Sequence, residues 1–333
     1  MQYITEPTKN YSNLETLRED LAIRDVRETK SFPLQEMNLT KDGVLQVNGI
    51  GEFLLSDLAL LDAVRRGGLQ VPTFQNFFEE HKSVLDEAVV NAINSFYHHS
   101  RYAGSEVKLI TRANGNDRVV LGIPSKSYCL LTNERALEKI SKTLSSNLKL
   151  TRANLYPEFL QLAFTDTINE ARDKVGEVVS VGLSFLNSEG SRKSSLVVSS
   201  FSLRLVCLNG ATAAEKMFTA RYIHRGDMEN NSKFSEDTRN IFNRFSLMMR
   251  NLPKLGDIPV TEKLISRIRP TLIETIKTKE TDEFIKGIDT SKETVMDLWN
   301  RITNLPHRIQ NPQSKLKLEQ LGFKLLTMHL CYN

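Results

Sequence analysis

Cysteine is scarce in this 333-residue chain: Cys129, Cys207 and Cys331 stand far apart, odd in number and with no CxxC pair. Such a set argues against a disulfide framework or a zinc cage and fits a reducing compartment. Long apolar runs are missing too. No stretch of about 18 apolar residues occurs, so no membrane-spanning helix is expected. Met1 to Arg18 is polar and has no apolar h-region, so no signal peptide is expected. These absences together predict a protein of the cytoplasm.

Catalytic signatures are also lacking: there is no GxSxG, HExxH or GxGxxG. Gly190 to Ser195 reads GSRKSS and superficially matches the end of a phosphate loop. It lacks the second glycine and leads into a strand rather than a helix, so it reads as a polar hairpin tip. His224-Arg225-Gly226-Asp227 would share a helical face only if Gly226 allowed a helix to continue, and His98-His99 diverge on one. Neither set has metal-ligand spacing. No cofactor, no metal and no enzymatic activity are expected.

Charge is present but unevenly spread. Residues 1–100 hold 9 Lys/Arg against 15 Asp/Glu, a net of −6, and residues 101–250 hold 22 against 15, a net of +7. Residues 251–333 add 13 against 10, a net of +3. An acidic beginning beside a basic centre suits a partner that is a polyanion.

The hydrophobic pattern divides the chain by texture. Short helices are expected over Leu14–Val26, after Ser56 as N-cap until Gly67-Gly68, over Thr73–His81 and over Val84–Tyr97. Glu106–Thr111 and Arg118–Ile123 flank Asn114-Gly115 and read as a hairpin. Asn133 is expected to cap a helix to about Leu144. Val179, Val181, Leu183 and Phe185 alternate on one strand, and Phe201, Leu203, Leu205 and Cys207 on the next. That predicts a long antiparallel hairpin with one buried face and Ser188 to Lys193 as a tip pointing away from the core. A helix is expected from Ala211, then further helices after residue 233. There Val295, Leu298, Trp299 and Ile302 form one apolar face, and Leu318, Leu321, Leu325 and Met328 another. The expected fold is α+β: a central antiparallel sheet with long hairpins, flanked by N-terminal helices and a C-terminal helical part. The expected divisions are a mostly helical acidic region at 1–104, a β core at 105–233 and a helical region at 234–333.

Gly182 to Gly210 reads GLSFLNSEGSRKSSLVVSSFSLRLVCLNG. With its N-S-x-x-G turn and R-L-V-C-x-N-G ending, it resembles the phage/plasmid-like proteins of the domain of unknown function 932 family. Leu121–Ile140, LGIPSKSYCLLTNERALEKI, is similar to that family's strand–S-x-Y–strand–N-helix unit, and Asp297–Pro306, DLWNRITNLP, to its W/Y-N-x-[IV]-T segment. The resemblance spreads over roughly 120–330. Leu54–His98 also looks like the N-terminal region of some phage members. Two departures stand out: Cys129 where the family has a basic residue after S-x-Y, and no aromatic-Gly close to the C-terminal end. The resemblance implies a mobile-element setting among replication and recombination genes, and a single-stranded-DNA binding or annealing role. It implies no catalytic residues.

The residues offer their own candidates for that role. Arg112, Arg118 and Lys126 lie near the first hairpin, Arg192 and Lys193 at the tip of the second, with Arg204, Arg221 and Arg225 following. Cations there would neutralise phosphates and release counterions. Tyr128, Phe218 and Tyr222 are interleaved and could stack on bases. Arg204 alternates against Phe201, Leu203 and Leu205, so it faces either a ligand or a cross-strand partner, Glu177 or Glu189. The expected function is non-enzymatic binding of single-stranded nucleic acid, with self-association as a second expectation. The alternative is a structural or regulatory component that binds other proteins.

Overall fold

The computed structural model describes residues 8–69, 87–115, 117–156, 159–172, 178–190, 195–205, 212–226 and 232–305, and helical positions within 317–329; the side chains of 167–172, 178–179, 202–205 and 212–217 lie outside that description. The fold is α+β, as the sequence pattern predicts. Its largest layer is an antiparallel six-stranded sheet built from β1 (Lys9–Tyr11), β10 (Leu148–Leu155), β11 (Phe159–Arg172), β12 (Val178–Ser188), β13 (Ser195–Leu205) and β14 (Thr212–Ile223), in that spatial order.

Pairing of Leu162 with Phe185, Phe185 with Val198, and Val198 with Ala220 fixes one face of this sheet. That face is covered by α1 (Leu14–Ile23), α4 (Asn133–Thr143) and α5 (Ser232–Arg250), through Leu17, Leu137, Ile140 and Phe234. Residues one step along each strand point to the opposite face.

The expected hairpin is present, but Phe201 does not share the face of Val181, Leu183 and Phe185; Cys207 and the side chains of Val179, Leu203 and Leu205 lie outside the described residues. Phe201 pairs with Gly182, whereas Leu183 pairs with Ser200, so Phe201 and Leu183 lie on opposite sides of the sheet. Phe201 is buried by lying over Gly182, where an added Cβ would sit 2.6 Å from the Phe201 ring and 2.3 Å from the Phe164 carbonyl oxygen. A register shift between Ser199 and Phe201 against β14 marks the same place.

A second sheet has the order β2 (Val26–Glu28), β8 (Ile110–Asn114), β9 (Asp117–Gly122), β6 (Gly51–Leu55), β5 (Val44–Val47) and β4 (Met37–Leu39). Only β6 and β9 are parallel here, and the chain between them carries α2 (Asp57–Arg66) and α3 (Glu87–His99). β3 (Phe32–Pro33) and β7 (Glu106–Val107) form a small separate pair. Ser56 caps α2 by accepting from the Ala59 N–H at 3.2 Å, one of the donors a helix start leaves free. Gly67 and Gly68 end α2 and also admit α3, since a Cβ on either would press into Ile93 or Phe96 at 2.5–2.8 Å. Tyr97 donates to the Ala63 carbonyl at 2.6 Å and completes this core.

Three expectations need correction. Residues 212–223 form a strand, not a helix. Ala213 and Ala214 favour a helix locally, but pairing along β13 and burial of Tyr222 against Phe234 outweigh a propensity worth tenths of a kcal/mol. The α4 cap is Thr132, which accepts from the Arg135 N–H at 3.2 Å, while Asn133 is a buried first-turn residue. The described part of 1–104 also supplies β1 to β6, and ladders joining β2 to β8 and β6 to β9 cross the expected 104/105 boundary. The helix expected at Thr73–His81 lies outside the described residues.

The C-terminal helices close on a core that also takes in Val181 of β12. In α8 (Val295–Asn304), Thr294 and Asp297 form a capping box and Val295, Leu298, Trp299 and Ile302 are buried, as their spacing predicts. They pack with Phe245, Met248 and Leu325. Among the described residues no helix is long and apolar enough to cross a membrane.

Candidate nucleic-acid interface

The nine residues predicted as an interface do not form one surface. Arg112 is 4% exposed and Tyr128 is 5% exposed, so neither can meet a strand of nucleic acid. Arg118 is half-buried and already engaged: it donates to Asp25 Oδ2 at 2.9 Å, to the Asp25 carbonyl at 2.8 Å and to Thr111 Oγ1 at 3.0 Å. Lys126 is paired with Glu106. Arg192, Lys193 and the Arg204 side chain lie outside the described residues; the Arg204 backbone pairs with Val179 and Ala213. Arg221 and Arg225 are exposed. Of the other aromatics, Tyr222 is buried and donates to Asp237 at 2.5 Å, and Phe218 is half-buried beneath the Arg244 guanidinium.

What gathers Arg112 and Tyr128 is a buried polar junction between the two sheets. The Ser188–Gly190 turn does not project from the core. Glu189 is 1% exposed, and a Cβ on Gly190 would lie 2.8 Å from the Leu121 carbonyl oxygen of β9. Glu189 Oε1 accepts from the Asn133 N–H at 2.6 Å, at the start of α4, where the helix dipole favours an anion. Oε2 lies 4.0 Å from Arg24. Burial pushes the Glu189 carboxyl up, against the pull of Arg24, the Asn133 N–H and Arg112.

His224, at the end of β14, extends the junction. Its Nε2 lies 3.1 Å from Asn187 Oδ1 and its Nδ1 3.0 Å from the Tyr128 hydroxyl. The Asn187 amide donates to the Leu131 carbonyl at 3.1 Å and to Asn133 Oδ1 at 2.9 Å, so its Oδ1 must accept, and Nε2 carries the proton. The Tyr128 hydroxyl is also 3.0 Å from the Glu189 carbonyl oxygen; its single proton serves one of these two acceptors at a time.

Burial lowers the His224 imidazole from 6.5 to about 4. Above pH about 6.5 it is neutral in both states. Between about 6.5 and 4 the unfolded chain takes up a proton that the folded chain refuses, so His224 removes up to about 3 kcal/mol of stability as pH falls through that window. Glu189 acts in the opposite sense, because its raised carboxyl costs stability as pH rises past the unfolded value. Urea unfolding from pH 7 to pH 4 of the native chain and His224→Gln isolates the first contribution: the native chain should lose more stability on acidification than the variant.

The open face of the six-stranded sheet is a surface of a different kind. Its rows follow from the ladders. One runs Asn154, Gln161, Leu186, Val197, Arg221; the next runs Arg152, Ala163, Ser184, Ser199, Thr219; and Lys149 leads a third through Thr165 and Gly182 to Phe201. Lys149, Arg152 and Arg221 are exposed, and none makes an ion pair among the described residues. The floor between them is amide, hydroxyl and small apolar groups. No carboxylate occurs among the described side chains of these rows. From β10 to β14 the cations are four strand spacings apart, ~19 Å. At one end of the sheet the Tyr156 and Phe159 rings stack at 4.1 Å and are half-buried.

Arg221 belongs to the predicted set; Lys149 and Arg152 do not. Their signal in the sequence was alternation in 148–155, where Arg152 precedes buried Ala153 and Leu155. Among the described residues no group of three or more His, Cys, Asp or Glu is placed to hold a metal ion. No family model, no curated protein and no solved structure matches the chain.

Proposed function

We propose that this protein binds nucleic acid without catalysing a reaction, and that the open face of the six-stranded sheet is the binding surface. The observation that carries this reading is the combination of cations on β10 and β14 that make no ion pair among the described residues with a floor free of carboxylates among its described side chains. Lys149, Arg152 and Arg221 would neutralise phosphates, and the neutral floor admits bases without burying a like charge against the backbone. Arg225 lies two residues beyond the end of β14 and extends the basic edge. The half-buried floor at Ala163, Ser184, Leu186 and Val197 favours single strands, whose bases can turn toward it. A role in single-strand binding or annealing during phage or plasmid recombination fits both this surface and the resemblance of the Gly182–Gly210 segment.

The test is fluorescence anisotropy with labelled oligonucleotides at two salt concentrations. Affinity should fall steeply as salt rises, and single strands should compete better than duplex. Absence of binding at low salt would end this reading and favour a role in protein assembly.

A further inference from the structure

The opposite side of the same sheet holds a second feature, in the helical layer. Where α4 ends and α5 passes, the helices part and leave an open groove of ~410 Å³ over Leu183 of β12. That volume falls within the range of small-molecule sites. The groove is anchored at its α4 end, since Thr143 Oγ1 bonds the Lys139 carbonyl and Ser235 Oγ, each at 2.9 Å.

Its wall is chemically specific. Arg239 and Asn243 are one turn apart on α5 and line the groove together, with Phe242 beside them. Neither Arg239 nor Asn243 has a side-chain hydrogen bond or ion pair among the described residues. Lys142 faces them from α4, engaged only by an exposed contact of 4.0 Å with Glu138, too weak to hold it. Asn147 adds a second carboxamide, and no lining residue is acidic. The groove therefore offers two cations at its rim, the Asn243 carboxamide able to pair with the edge of a heterocycle, and apolar side chains that include one half-buried aromatic ring.

We propose that this groove binds a planar aromatic phosphate of mononucleotide size. The phosphate would lie between Lys142 and Arg239, and the ring against Phe242 and the half-buried Leu148 with its polar edge toward Asn243. Charge-assisted hydrogen bonds from the guanidinium supply orientation as well as affinity. Because Leu183 belongs to the covered face of the sheet, this site is separate from the open face and does not depend on it.

The experiment is isothermal titration of the full chain with AMP, adenosine and inorganic phosphate, each separately. AMP should bind saturably in the millimolar range or tighter, and more tightly than either fragment. Arg239→Glu should weaken AMP about tenfold or more, the equivalent of one charge-assisted contact, while leaving the melting temperature unchanged because Arg239 is exposed. Phe242→Leu keeps the apolar volume and should weaken AMP severalfold through lost stacking. Arg152→Glu with Arg221→Glu should leave AMP binding intact, which separates this site from the oligonucleotide surface. No saturable AMP binding, adenosine binding as tightly as AMP, or unchanged affinity in Arg239→Glu would each overturn the proposal.

Discussion

Glu189→Ala should cost about 3–5 kcal/mol of stability, the loss expected when one member of a buried charge cluster is removed. Three consequences follow from the geometry. The Asn133 N–H at the start of α4 loses its acceptor at 2.6 Å. Arg24, whose side chain is 12% exposed, and Arg112, 4% exposed, lose a buried acidic neighbour. The turn after β12 loses the side chain that ties it to α4. Glu189→Gln keeps an acceptor for Asn133 and removes only the charge, so its cost should be less than half as great. Urea unfolding at pH 7 measures both. A cost below about 1 kcal/mol for the alanine variant would mean that the two sheets are joined elsewhere.

Gly182→Val should be more damaging still, at or above about 3 kcal/mol, because the clash is with backbone. Its Cβ would lie 2.3 Å from the Phe164 carbonyl oxygen, which is fixed in the β11 ladder. The second clash, 2.6 Å from the Phe201 ring, is one a rotamer change could relieve. Adding Phe201→Ala should therefore not rescue the valine variant. Ser184→Val, on the same face of the same strand, keeps an existing Cβ at a half-buried position and should stay within about 1 kcal/mol of the native chain. Thermal unfolding of the four proteins distinguishes the backbone clash from a general intolerance of this face.

Local order was readable from the sequence wherever a short-range rule decides it. Ser56 as a cap, Gly67 as a stop, Asn114-Gly115 as a turn and the Val295–Ile302 face all follow from contacts within a few residues. The strand over 212–223 was not readable, because Ala213 and Ala214 carry no β signal and the deciding partner is β13. Nor was the face of Phe201, since alternation fixes which residues of one strand agree and leaves open how two strands are matched. The same limit scattered the predicted site. Arg118 meets Asp25, and Glu189 meets Arg24 and Asn133, all far away in the chain, so no count of local charge could show that these groups are already engaged. Arg152 and Arg221, four strands apart, come to the same face only through the order of the strands between them.

The central claim is that the open sheet face binds nucleic acid through Lys149, Arg152 and Arg221. The most direct measurement is the salt dependence of single-stranded oligonucleotide affinity for the native chain and for a variant with all three changed to Glu. Each lost phosphate contact should lower the slope of log affinity against log salt by about 0.7. The variant should keep the native melting temperature, bind at least about a hundredfold more weakly at low salt, and show a slope smaller by about 2. Equal affinity and equal slope in the two proteins would contradict the account.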